Sequence, residues 1–573
     1  MAARARGTCN GVGLNGLAMI GVLADSEDHD VVREFFELFK TPWEFFRPDR
    51  KYEVLLCAGE FSVDETAKLV VRYSGSKIAF DDQKKLQTHC LQGNTHILSH
   101  QGNRIPIYGN CLTFPEIGSG ILVDEDSREC AAYVDESDDR VASRIGYDLF
   151  SEIRALLTLG QPVANAGLPA LDLHIAFLRD LITGCGVSLV EIPPVPDGYQ
   201  FTACLTHDVD HPAVRHHKWD HTMLGFLYRA IFDSLRKSLS GQMSLQDLAR
   251  NWAAALKLPF IHLGLAKDFW REFDDRYLEL EKGLRSTFFV IPFSNKPGNK
   301  SSGQAPSIRA ARYGAQDIAD AIHQLTAAGC EVGLHGIDAW MDSSRGRKEL
   351  DEIRRVTGTS EAGVRMHWLY YDQQSSVMLE QAGAAYDSTV GYNETVGYRA
   401  GTTQAYKPLN TNQMLELPLH IMDTALFYAS HLSLSRQQAK SLVRPMLDNA
   451  VRLGGALTIN WHDRSLAPER LWGKFYSDLI QDLKSRDAWF STASQATAWF
   501  RKRRSAEFKT DSSAPGGVCA HVAVDQRDNL PPLRLRIHGP WKLGSITTHR
   551  SESYVDTVVG ESMEAGIPSE AAR

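Results

Sequence analysis

The sequence predicts an α/β protein: a distorted barrel of seven strand–helix units, preceded by a separate α/β region. Three observations carry this. Short apolar runs recur seven times across about 300 residues, most of them ending in polar residues. Helix-like stretches lie between most of them, and strands alternating with helices imply parallel βα units. A Pro-rich break, EIPPVPDGYQ at 191–200, separates this pattern from what precedes it.

The first region, 1–190, opens on a helix in DHDVVREFFELFKTPWEFF that Pro42 stops. YEVLLCAG is a short buried strand. GYDLFSEIRALLTLG and ALDLHIAFLRDLITGCG are amphipathic helices, each closed by a glycine. His174 falls within the second and reads as a packed histidine. No constellation of chemistry-bearing residues stands out here.

The seven runs of the second region are FTACLTHDVD (from 201), STFFVIPF (286), CEVGLHG (330), GVRMHWL (363), AAYDST (384), MLELPLH (414) and ALTINWH (456). AQDIADAIHQLTAAG and RQQAKSLVRPMLDNAVRLGG are two of the intervening helices. An insertion at about 211–285 carries two more helical patterns, whose aromatics read as core or lid. SAEFKTDSSAPGG reads as a flexible connector into a tail, 506–573, in which LPPLRLRIHGPWKL holds a strand or two and the last thirty residues read as disordered.

Composition bounds the function. The chain has 573 residues, more than one core usually serves, so two or more domains are expected. A net charge of −8 argues against a dedicated nucleic-acid binder. RKRR at 501–504 reads as a solvated helix end. Nine cysteines without CxxC pairing support neither a zinc knuckle nor a disulfide framework, and reduced thiols favour a cytoplasmic protein. The basic start MAARARG followed by GVGLNGLAMIGVLA imitates a signal peptide. Gly and Asn interrupt its apolar part, so no signal is the preferred reading and export stays open. No stretch approaches the roughly 20 apolar residues of a membrane span.

In a βα barrel the active site sits at the C-terminal ends of the strands. The polar residues cluster there: Asp208 and Asp210, His335, Arg365 and His367, Asp387, and His462. Side chains at i and i+2 share a face of a strand, so Asp208 and Asp210 point one way and His207 the other, while Arg365 and His367 share a face. Carboxylates, imidazoles and a guanidinium converge if those faces are the barrel mouth.

These residues give the region from about 200 to 500 a resemblance to the polysaccharide deacetylases, the NodB-homology or carbohydrate esterase family 4 group. The family's Thr-Phe-Asp-Asp-Gly motif is echoed by Thr206-His207-Asp208-Val209-Asp210. The resemblance makes Asp208 the base and Asp210 a metal ligand, although the intruding Val209 leaves their roles open to exchange. The second motif, His-Ser/Thr-x-x-His, is half present: His335 opens it, but Gly336 and Ala339 depart from it. Arg365-Met366-His367-Trp368 matches the third, whose Arg holds the base. Asp387 echoes the fourth loosely. INWHD approximates the fifth, with His462 as proton donor. THDVD-bearing bacterial proteins of this kind resemble this one in carrying an extra N-terminal domain.

The resemblance implies a NodB-like barrel at 201–505 and a metal-dependent hydrolase that removes acetyl groups from an N- or O-acetylated polysaccharide or oligosaccharide. A divalent metal is implied, with Zn first and Co, Ni, Fe or Mn open. Asp210 and His335 are two ligands. His367 is the preferred third, with Asp338 and then Asp208 as rivals, because a catalytic site generally needs three protein ligands and an open position. Trp340, Trp368 and Trp461 either stack on sugar rings or cap the core. Two other readings stand beside this one: a non-catalytic carbohydrate-binding relative, and a metal-dependent hydrolase of another C–N or phosphoester bond on the same barrel. The polymer, the oligomeric state and the role of 1–190 are not specified by the sequence.

Overall fold

In the computed structural model, residues 19–61, 67–137, 140–241, 243–511, 517–522, 529–539 and 554–558 are described. The signal-like start lies almost wholly outside them. The chain divides into two compact units: 1–155 with 170–198 and 499–573, and 156–169 with 199–498.

The second unit is built round a parallel sheet. Six strands pair in the order Val364–Met366, Glu331–Gly336, Thr287–Val290, Phe201–Val209, Ala456–Asn460 and Ile421–Met422. Single-residue bridges close the ring, Val364 to Asp387 and Asp387 to Glu416, the latter on the segment that runs into Ile421. Counting Asp387 as one position and 416–422 as another, the ring has seven positions. A further strand, Ala488–Ser491, pairs with the first half of Phe201–Val209.

All nine residues of Phe201–Val209 are buried, as a central parallel strand covered on both faces requires. Helices Ala319–Ala327, Ser343–Thr357, Ser375–Ala382, Arg436–Leu453 and Gly473–Ser485 alternate with the strands. Their buried faces join the strands in one core that includes Leu205, Phe288, Leu334, Val364 and Ile459. The helix Ser343–Thr357 shows the local logic. Asp342 caps its start by accepting from the N–H groups of Ser344 and Arg345, and Gly358 at φ 74° closes it. The insertion folds as helices, among them His221–Leu227, Leu245–His262 and Phe273–Leu280.

The first unit holds a nine-stranded mixed sheet in which the five strands Trp43–Phe45, Ile20–Leu23, Val54–Ala58, Leu69–Tyr73 and Arg140–Ile145 run parallel. Its opening helix, His29–Phe39, stops at Lys40 in the left-handed region, two residues before the proline expected to stop it. His174 is fully buried, with its Nδ1 3.1 Å from the Tyr147 hydroxyl.

Three expectations are corrected here. The stretch 191–200 is not a free linker: residues 191–196 are buried, and Ile192 bonds backbone to backbone with Lys40. Its prolines cannot donate to a ladder, but they are apolar enough to pack. RKRR ends a helix as expected but is solvated only in part: Arg501 is exposed, whereas the last two arginines are engaged. Arg503 is buried and donates to the carbonyls of Ile192 and Leu38, and Arg504 grips Glu34 bidentately at 2.8 and 2.7 Å. The tail is not wholly flexible. Arg534–His538 pairs antiparallel with Leu189–Glu191 and with Tyr554–Val558, inside the first unit.

Cys57, Cys90, Cys111, Cys130, Cys185, Cys204 and Cys330 are unpaired, and all of these but Cys90 are buried or half-buried. No helix among the described residues is long and apolar enough to cross a membrane.

Candidate metal centre

The central strand delivers two carboxylates to the mouth of the barrel, and they differ in environment. Asp208 is fully engaged. Its Oδ1 accepts from Arg365 Nη1 at 3.2 Å and its Oδ2 from Asn460 Nδ2 at 2.7 Å, while its own N–H donates to Asn460 Oδ1. Arg365 is itself locked. It donates to the Ser388 carbonyl, the Ser388 hydroxyl and Thr206 Oγ1, and it lies over the Phe289 ring. Asp208 is thus a fixed, charge-assisted acceptor. His207 points the other way, sandwiched between Tyr277 and Phe288 with Nε2 3.0 Å from Glu281.

Asp210 is the contrary case. Its Oδ1 is buried and receives no hydrogen bond. Instead it faces His335 Nε2 at 3.3 Å and His367 Nε2 at 3.5 Å. Asp210, His335 and His367 can each offer one ligand atom, all within 4.8 Å of one another. The tautomer of His335 sharpens this. Its Nδ1 lies 3.0 Å from the Arg365 carbonyl, which can only accept, so Nδ1 carries a proton and Nε2 is the ring nitrogen left to serve as a metal ligand. Burial, the largest influence on His367, pushes its pKa well below the usual range and keeps it neutral, as a ligand must be. Converging lone pairs on one oxygen and two nitrogens are mutually repulsive without a cation. The donor set therefore fits a divalent metal, with the backbone carbonyl orienting one imidazole from behind.

His367 is held by the backbone as well. The strand ends at Met366, and the next turn carries Trp368 and Leu369 at φ 65° and 52°, unusual for such side chains. Buried Arg309 clamps it by donating to the His367 carbonyl at 2.8 Å. Asp338 is occupied elsewhere, accepting from the Asn299 backbone at 2.7 Å and from Arg345 at 3.1 Å.

The departures from the second motif have steric causes. A Cβ on Gly336 would meet Met366 Sδ at 2.5 Å. Ala339 is fully buried and packs close to Gly346, so a larger side chain there would have to displace its neighbours.

His462 stands on the opposite side of Asp210, with Nε2 3.7 Å from Asp210 Oδ2. Its Nδ1 lies 2.7 Å from Asp423 Oδ1, and its N–H donates to Asp423 Oδ2. Burial opposes protonation of the ring, but Asp423 overcomes it and holds the imidazole up at about 10. Asp423, which Ser465 also hydrogen-bonds, escaped the sequence reading, as did Asn460 and Ser388. The one signal available was that Asp423 closes the short run ending in LHIMD.

Asp208, Asp210, His335, His367, Trp368 and His462 line one cavity of about 630 Å³. Trp368 is 37% exposed there. Trp340 and Trp461 are corrected from stacking candidates to core: both are buried, Trp461 packed on Phe475 and Tyr476. Asp387 also leaves the mouth. It is buried in the ring wall between Val364 and Glu416, where burial pushes it up to about 6.

No family model matches the chain, and no curated protein does. Similar solved structures include a protein assigned as a polysaccharide deacetylase from Mycobacterium smegmatis, at 19% identity over 54% of this chain and 94% of that one, with a TM-score of 0.34. PuuE allantoinase is 16% identical over 54% and 93%, with a TM-score of 0.34. The carbohydrate deacetylase Agd3 is 11% identical over 92% of both chains, with a TM-score of 0.35.

Proposed function

We propose that this chain is a metal-dependent hydrolase that removes acetyl groups from an N- or O-acetylated polysaccharide or oligosaccharide. One observation carries the reading: Asp208, held by Arg365, and His462, held by Asp423, line the same cavity as the Asp210–His335–His367 donor set.

Asp210, His335 and His367 are the residues that would hold a divalent cation, Zn or another first-row metal. Such a cation, when bound, supplies an acidified water and a polarised carbonyl. Asp208 accepts a proton from the attacking water. Arg365 and Asn460 fix the angle of its carboxylate. His462, kept protonated by Asp423, donates to the leaving amine or alcohol. The two exchangers sit on different elements, so one can be basic while the other is acidic. Trp368 offers an exposed ring face on which a sugar stacks.

Acetate release from N-acetylglucosamine oligomers and O-acetylated glycans, run beside cyclic imides and phosphoesters, tests the reading. Acetate from the glycans alone is the expected result. Turnover confined to cyclic imides or phosphoesters would replace the acetyl substrate and leave the metal centre standing. No turnover of any class by metal-loaded chain would sink the enzymatic reading.

A further inference from the structure

Three guanidiniums line the same cavity, and among the described residues none forms an ion pair with a carboxylate. Arg229 comes from the insertion, in the stretch Tyr228–Asp233 where the helix widens to π register. Such widenings recur at functional sites. Arg464 and Arg470 come from the loop that follows His462.

Arg464 is 7% exposed and Arg470 6%. Among the described residues the Arg464 side chain makes no hydrogen bond and no ion pair; its guanidinium lies over the Trp270 ring. Arg470 donates to the Tyr428 hydroxyl at 2.6 Å, which leaves its Nε and Nη1 without acceptors. Arg229 Nε is likewise buried without one. Glu469 acts on all three through space, Asp463 and Asp210 on Arg464, and Asp423 on Arg470, but among the described residues none of these carboxylates pairs with them directly, and Glu469 Oε1 is taken by Trp270 Nε1 at 3.0 Å. The phenol of Tyr428 reports the local field. Burial pushes it up, yet the three arginines together hold it down at about 8.

Buried charges in proteins are normally paired, because an unpaired one forfeits its hydration. Three like charges facing a cavity form a site for an anion that completes them. Guanidinium forks match carboxylate and phosphate bidentately. We propose that these arginines form an anion subsite, which takes a carboxylate or phosphate group carried by the substrate, so that the glycan turned over is acidic rather than neutral. The word glycan rests on the deacetylase reading above; the anion subsite itself does not. Because one cavity holds both the arginines and the metal ligands, the anionic group and the acetyl group lie on the same or neighbouring sugar units.

The test uses the metal-loaded full chain and the variants Arg464→Gln and Arg229→Gln. Inorganic phosphate binding is followed by calorimetry. Acetate release is compared among neutral N-acetylglucosamine oligomers, carboxylate-bearing N-acetylmuramate oligomers and phosphate-bearing acetylated oligomers. Phosphate binding is expected, weakened about ten-fold or more by each substitution. The preference for acidic over neutral substrate falls alongside it, chiefly through KM, and the better acidic arm identifies the group recognised. Arg464→Gln is also expected to raise the melting temperature of the ligand-free chain, since it removes an unpaired buried cation.

Phosphate affinity indifferent to both substitutions would mean binding at the metal alone and overturns the proposal. A lower melting temperature for Arg464→Gln with unchanged phosphate affinity makes Arg464 a packing residue and overturns it too. If no glycan releases acetate while phosphate binding still depends on the arginines, the subsite stands and the deacetylase reading falls.

Discussion

At the scale of single residues the site turns on where the carboxylate lone pairs go. Asp208 accepts one hydrogen bond on each carboxylate oxygen, from Arg365 and from Asn460, and keeps lone pairs for a proton; Asp210 Oδ1 accepts none and faces two imidazole nitrogens. His367→Ala is therefore expected to weaken metal affinity by orders of magnitude. Asp338→Ala, which breaks contacts to Asn299 and Arg345, is expected to cost roughly 10- to 100-fold at most. A metal titration of the two variants checks the ranking, and the reverse order would return Asp338 to the ligand set. Asp423→Asn leaves His462 without the carboxylate that keeps it protonated. The expected loss is about 100-fold or more in kcat with metal content unchanged. A variant that lost metal instead would make Asp423 part of the binding site. The pairs at the mouth were partly legible in sequence. Asp208 with Asp210, and Arg365 with His367, are spaced i, i+2 at the ends of apolar runs, and His462 closes another. Asp423 and Asn460 were not, since their partners lie 39 and 252 positions away and only the closed ring brings them together.

At the scale of elements, the loop after Glu331–Gly336 shows how a degenerate motif stays ordered. Glu349, on the following helix, accepts from the N–H groups of Ile337 and Asp338, both at 2.8 Å. Burial pushes its carboxyl up to about 7. A carboxyl whose folded pKa is raised binds more protons in the native state than in the unfolded one. Its contribution is thus complete below about 4.5 and is lost as pH rises towards 7. The stability advantage of the native chain over Glu349→Gln is expected to shrink between pH 5 and 7 in calorimetric melts. An advantage that is flat or grows with pH would show that Glu349 is ionised throughout. The sequence announced this helix through its apolar spacing. It could not show that Met366 fills the space above Gly336, because packing across neighbouring parallel strands leaves no local trace.

At the scale of the whole molecule the seven runs were readable because each is short, apolar and closed by polar residues. Two of the seven are barely strands: the ring passes through Asp387 and Glu416 by single bridges, a degree of distortion that periodicity does not encode. The strand Arg534–His538 was noticed in sequence, but its partner Leu189–Glu191 lies some 345 positions earlier. His538 Nε2 sits 3.0 Å from buried Glu191 there. Deleting 529–573 removes that strand and one of the partners of Glu191. The expected result is a first unit that melts earlier or aggregates, read by thermal unfolding of the truncated chain; an unchanged melt would show the pairing to be dispensable.

The most direct test of the metal centre is elemental analysis of the full chain and of His335→Ala, each reconstituted with zinc and dialysed, with circular dichroism to verify the fold. One ion per native chain is expected, and a folded variant that has lost it together with acetate release. One tightly held ion per folded His335→Ala chain would contradict that expectation.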